Sequence, residues 1–193
     1  MSYRNLDVIG ISGSLRSGSF NTALLETARD IAPKGLRITM FSLDDIPLYN
    51  QDLDNDEDRP EPVRRLKSAI ENADAVLLVT PEYNFGIPGV LKNAIDWASR
   101  PGFASPMMHK PVGMMGASLG ASGTMRAQEH LKLALLGMGS QVFPHPGVAV
   151  ADGPNKVEDG RVTHAETRDF VQDYLEGFAR WVAEVRAAVP AAV

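Results

Sequence analysis

The chain has 193 residues, 44% of them hydrophobic, which suits a single globular domain, residues 1–193, with a full core. Its 24 acidic and 19 basic side chains leave a net charge of −5, which argues against nucleic acid as a partner. Cysteine is absent, so disulfides, thiolate catalysis and cysteine-held metals are excluded.

Asp7 to Ile11 reads as a first strand, apolar on both faces and therefore central. It runs into a loop in which Gly10 to Gly18 holds three glycines, three serines and Arg16. A helix from Phe20 to Ala32 follows, with Ala23, Leu24, Leu25, Ala28 and Ile31 as its apolar positions. Strand, small-residue loop and helix start together form a phosphate site. The helix end offers unpaired N–H donors and partial positive charge, glycines permit close approach and positive φ, and Arg16 adds a planar charged fork. The plain alternative is a tight strand-to-helix turn.

Leu36 to Phe41 alternates as a second strand. Asp44 to Pro62 is a long acidic loop, in which Ile46 to Asn50 either covers something or is tacked to the surface by Leu48 and Tyr49. Val63 to Asn72 makes a short helix with Val63, Leu66, Ala69 and Ile70 buried. Ala75 to Thr80 is the most apolar strand, and it opens into a loop from Pro81 to Gly89. Val90 to Ser99 is helical, with Pro88 and Gly89 suited to its start. Pro111 to Ala117 is a fourth strand, Ser118 to Thr124 a second glycine-and-hydroxyl loop, and Met125 to Leu136 a helix. The segment Gln141 to Val150 includes a fifth strand, placed at an edge by Pro144 and Pro146. Asp152 to His164 is polar and expected to be exposed, and Glu166 to Ala187 is a final helix.

Strands alternating with helices predict an α/β fold: a flavodoxin-like doubly wound five-stranded parallel sheet, order 2-1-3-4-5, with helices on both faces. In that order the unusual loops follow the adjacent strands one, three and four, so they converge on one crevice beyond the carboxyl ends. The first loop is neither G-x-G-x-x-G nor G-K-[ST], which disfavours dinucleotides and triphosphates, and no acidic cluster suits magnesium. Tyr83 and Phe85 offer flat surfaces, and the glycines after strand four let amides reach a polar ring edge. FMN satisfies all three loops.

Gly13 to Asn21 resembles the phosphate loop of the NADPH-dependent FMN reductase family. Pro81-Glu82-Tyr83-Asn84, followed by Pro88 to Trp97, is similar to that family's second signature, nearest the chromate and quinone reductase branch. The resemblance spans about residues 6 to 150. It implies phosphate contacts from Ser14, Arg16, Ser19 and Asn21 within a loop that includes Phe20. It implies ring contacts from Pro81, Glu82, Tyr83 and Asn84, chiefly through backbone, with Phe85 beside them. Ser118 and Gly120 would lie near the ring's polar edge. Phe85 stands where some members carry tyrosine, keeping the aromatic surface and losing a hydroxyl. The implied reaction is a ping-pong cycle: NADPH or NADH gives a hydride to FMN, then a quinone, azo compound, chromate or similar small acceptor is reduced, with the flavin carrying the chemistry. A homodimer or homotetramer is expected.

His109 and His145 read as surface histidines, and Arg100 either meets an anionic substrate or serves a helix C-terminus. Arg126, Glu129 and His130 form subunit contacts or a solvated face, and the methionines between Met107 and Met125 read as packing. Met1 to Asp7 lacks a signal-peptide core, and no run is long enough to span a bilayer, so the expectation is a cytoplasmic protein with no membrane partner. The competing functions are a flavodoxin-type FMN electron carrier and a relative with an empty site.

Overall fold

Strand β1 (Leu6–Ser12) lies inside the sheet with helices packed over both of its faces, which explains why its residues are apolar on both faces. In the computed structural model, which describes residues 5–188, it pairs in parallel with β2 (Leu36–Phe41) and with β3 (Ala75–Val79). The signal-peptide expectation rests on Met1 to Asp7, which lies partly outside those residues. β4 (Pro111–Ala117) adds to β3, and β5 (Gln141–Val142) completes the parallel order β2-β1-β3-β4-β5. This is the expected doubly wound order.

The strand period of two divides the core. Leu6, Val8, Leu77 and Val79 face helices α1 (Phe20–Asp30) and α5 (Ala165–Ala188). Ile9, Ile11, Val76 and Leu78 face α2 (Glu61–Asn72), α3 (Gly89–Ala98) and α4 (Met125–Gly137). α1 lies directly on the sheet: a Cβ at Gly10 would stand 2.7 Å from Leu25 Cδ1. Met107, Met114 and Met115 are buried in packing, whereas Met125 is exposed. α2 begins at Glu61, two residues before the expected start, because Pro62 fits a first helical turn, where no N–H is needed.

The fifth strand is broken. β5 pairs with Pro111 and Val112, and β6 (Val148–Val150) pairs with Met115 to Ala117. Pro144 and Pro146 in the gap have no N–H to give the ladder. The Met114 N–H donates instead to Tyr174 Oη of α5 at 2.8 Å, and burial pushes the Tyr174 phenol up, which keeps it neutral. His145 is only partly exposed, half-buried and stacked on Phe143 rather than standing free at the surface. His109 is exposed.

Two further loop expectations are corrected, the second in part. Asp152 to His164 contains a hairpin of β7 (Val157–Glu158) and β8 (Arg161–Val162), with Val162 buried and its N–H donating to Thr27 Oγ1 of α1 at 2.8 Å. Ile46 to Asn50 is fastened to α3 by Tyr49, as expected, whose ring meets Trp97 edge-on at 4.9 Å and whose N–H donates to Asn93 Oδ1 at 2.8 Å, and also by the Pro47 carbonyl, which accepts from Asn93 Nδ2 and Trp97 Nε1; Leu48, the other expected anchor, is exposed. Among the described residues no helix is long and apolar enough to cross a membrane.

Candidate functional site

The loops after β1, β3 and β4 line one cavity of about 490 Å³, within the roughly 300–1,000 Å³ of ordinary ligand clefts. Ser14, Arg16, Ser19, Phe20 and Asn21 come from the first loop, and Pro81, Glu82 and Tyr83 from the second. Ser118 and Gly120 come from the third, with Leu119, Ser122 and Gly123 of the same glycine-and-hydroxyl loop. The composition of 118–124 marks the loop as a whole, and the fold shows which of its residues line the cavity. A larger groove of about 850 Å³ borders α2 and the turn after α3, and exposed Arg100 lies on it. It holds a tight ion cluster, with Arg59 Nε 2.9 Å and Lys67 Nζ 3.0 Å from Asp54 Oδ1, and it shares no residue with the three loops. The smaller cavity is the stronger candidate because three loops at adjacent strand ends converge there.

In the first loop, Ser19 caps α1: its Oγ accepts from the N–H groups of Asn21 and Thr22, each at 3.2 Å. The N–H groups of Leu15, Ser17, Gly18 and Phe20 meet no acceptor among the described residues. The Arg16 guanidinium lies over the Phe20 ring, 5.1 Å from its centroid. Gly13 does not take positive φ; glycine is needed there for closeness, since a Cβ would sit 3.1 Å from Leu91 Cδ2 and 3.2 Å from Pro81 Cδ. The Asn21 side chain is buried, its amide bonded twice to the Ala117 backbone, and so is not free to reach a phosphate.

The second loop turns sharply at Tyr83 to Gly86, closed by a pair of N–H···O bonds of 3.2 and 3.0 Å. Asn84 and Phe85 both take left-handed φ, 50° and 65°. That turn carries Phe85 outward beneath the Arg126 guanidinium, 4.4 Å from the ring centroid, and neither Asn84 nor Phe85 lines the cavity. Tyr83 does, and it is 55% exposed at the rim. The Glu82 carboxylate is only 8% exposed and pairs with Arg126. Glu129 and His130, further along α4, are exposed, and Glu129 pairs with Lys132.

The third loop is fixed at its start, where the Ser118 N–H donates to the Val150 carbonyl and the Ser118 carbonyl accepts from the Gly153 N–H. Beyond it the N–H groups of Leu119, Gly120, Ala121 and Ser122 meet no acceptor among the described residues.

The arrangement therefore offers loose N–H donors on two loops, one guanidinium, and an aromatic side chain at the rim. The carboxylate that borders the cavity is already neutralised by Arg126. Such a donor set suits an elongated ligand with an anionic end and a flat polar-edged end.

A family model described as NADPH-dependent FMN reductase matches residues 6–155. An NAD(P)H-dependent FMN reductase of Pseudomonas aeruginosa is 42% identical over 183 residues, covering 94% of this chain and 98% of that protein. A quinone reductase of Escherichia coli K12 is 38% identical over 185 residues, covering 94% and 97%. Among solved structures, the flavoenzyme NAD(P)H:(acceptor) oxidoreductase from Paracoccus denitrificans superimposes with a TM-score of 0.83 at 38% identity, covering 93% of this chain and 98% of that one.

Proposed function

The chain belongs to the NADPH-dependent FMN reductase family, and from that premise we propose that the three-loop cavity is its FMN site. The enzyme is an NAD(P)H-dependent oxidoreductase with FMN as its cofactor and small molecules, quinones among them, as its acceptors. The observation that carries the assignment of the cavity is the pairing, in one crevice, of Arg16 and unpaired loop amides with the Tyr83 rim.

In this reading Arg16, Ser14 and the free N–H groups at the start of α1 take the phosphate, as charge-assisted donors at a helix N-terminus. The backbone of Pro81 to Tyr83 borders the ring. The loose amides of Leu119 to Ser122 serve its polar edge, where preorganised donors stabilise added negative charge. Ser19 and Asn21 act by holding the loop rather than by touching the phosphate. FMN, when bound, accepts a hydride from NAD(P)H and passes electrons to the acceptor. Tyr83, exposed beside the cavity, is a surface on which planar donors and acceptors such as quinones and azo compounds stack. No acid–base residue is required at the rim.

The same reading takes the enzyme as a cytoplasmic homodimer or homotetramer. Exposed Phe103 and Leu136, which border a groove between α3 and α4, support a second copy of the chain against that side.

The site assignment is tested by titrating the FMN-stripped chain with FMN. The expected result is quenching of flavin fluorescence to one FMN per chain together with a rise in Tm. Unchanged fluorescence and an unchanged Tm would contradict it.

A further inference from the structure

The N-terminus of α4 is capped from a distance. Thr124, at its N-cap position, makes no side-chain cap. Its Oγ1 accepts instead from Gln128 Nε2 at 3.0 Å. The orphan amides of the first turn are taken by Glu82, which comes from the β3 loop. Glu82 Oε2 accepts from the N–H groups of Arg126 at 3.0 Å and Ala127 at 3.2 Å, and Oε1 accepts from Arg126 Nη1 at 3.0 Å. Thr80 donates its N–H to Met115 and its Oγ1 to the Pro81 carbonyl at 2.8 Å, and beyond Pro81 the backbone of the β3 loop has, among the described residues, only the Tyr83–Gly86 bonds of its own turn. The Glu82 side chain is therefore the main polar link between the second and third walls of the cavity.

We infer that Glu82 is a positioning residue: fastened to α4, its carboxylate sets the distance between the Pro81–Tyr83 backbone and the β4 loop. This rests on the cavity holding FMN. A flat ligand gripped by backbone on one side and loop amides on the other depends on that spacing, and a preformed gap removes the ordering cost of binding. The same contact neutralises the positive end of α4, so that end is not offered to an anionic ligand.

The role is one of reach rather than charge, and three variants separate the two. Glu82→Ala removes the link. Glu82→Asp keeps the charge but is one methylene too short. Glu82→Gln keeps an oxygen for the two backbone amides and loses the charge. With apo-protein Tm confirming that each chain is folded at the assay temperature, FMN dissociation constants and the visible circular dichroism of bound FMN are compared. We expect Glu82→Ala and Glu82→Asp to bind FMN about tenfold more weakly with an altered flavin spectrum, and Glu82→Gln to stay within about threefold of the parent. Parent-like affinity and spectrum in Glu82→Asp, or a Glu82→Gln as weak as Glu82→Ala, would overturn the inference. Failure of the parent chain itself to bind FMN would instead overturn the site assignment beneath it.

Discussion

Asn21 and Ala117 grip each other through two hydrogen bonds, the Asn21 Nδ2 donating to the Ala117 carbonyl and the Ala117 N–H donating to Asn21 Oδ1, each at 2.9 Å. The first turn of α1 is thereby locked to the end of β4, so two of the three cavity loops leave from one rigid edge. Replacing Asn21 by alanine strands a buried N–H and a buried carbonyl, with an expected loss of about 3 kcal/mol of folding stability. Asn21→Asp should do no better, because a carboxylate cannot donate to the carbonyl. Equilibrium urea unfolding of the apo-chain checks both.

Arg16 stands apart from the fold, exposed at the cavity and stacked on Phe20. Arg16→Ala should weaken FMN binding by about 10- to 100-fold, the worth of a charge-assisted phosphate contact, while leaving the apo Tm unchanged. Phe20→Leu removes the guanidinium's platform and should give a smaller loss in the same direction. Fluorescence titration reads both, and an Arg16→Ala chain with parent affinity would remove Arg16 from the site.

The Asp54 cluster predicts a pH dependence. Burial opposes ionisation of Asp54, but the hydrogen bonds from Arg59 and Lys67 outweigh it and leave the carboxyl below its ordinary range. The folded chain thus binds that proton less readily than the unfolded chain. The stabilisation is full above the ordinary carboxylate range and is lost as pH falls below about 4. Asp54→Asn should cost about 3 kcal/mol at neutral pH, because two cations lose their partner, and the gap to the parent should narrow as pH drops from about 5 to about 3. FMN affinity at neutral pH should be unaffected, since the cluster lies outside the three-loop cavity.

The sheet order and the crevice were legible because they rest on strong local signals. The apolar runs of β1 and β4 open into glycine-and-hydroxyl loops, that of β3 opens into a loop with Tyr83 and Phe85, and adjacency in the sheet then forces the loops together. What stayed hidden depends on partners distant in sequence. The composition of the first loop marks Asn21 as polar, but only the fold shows its amide meeting Ala117, 96 positions away. Glu82 looked like a ring-side residue, yet its carboxylate serves a helix 44 positions on. The left-handed pair Asn84–Phe85 has no glycine at either position, Gly86 only closing the turn, and it takes Phe85 away from the cavity and under Arg126. His145 sits between two prolines like a loop residue, but the broken edge strand folds it against Phe143 and Tyr174.

Direct oxidation of a reduced nicotinamide on FMN is the defining step of this chain's activity. It is tested by mixing the FMN-loaded protein with NADPH in the absence of oxygen and following flavin absorbance at about 450 nm. That band should be lost in proportion to bound FMN and should return when a quinone is added. A band that persists with both NADPH and NADH would contradict this step and would leave a protein that carries electrons between partners without taking them from a nicotinamide.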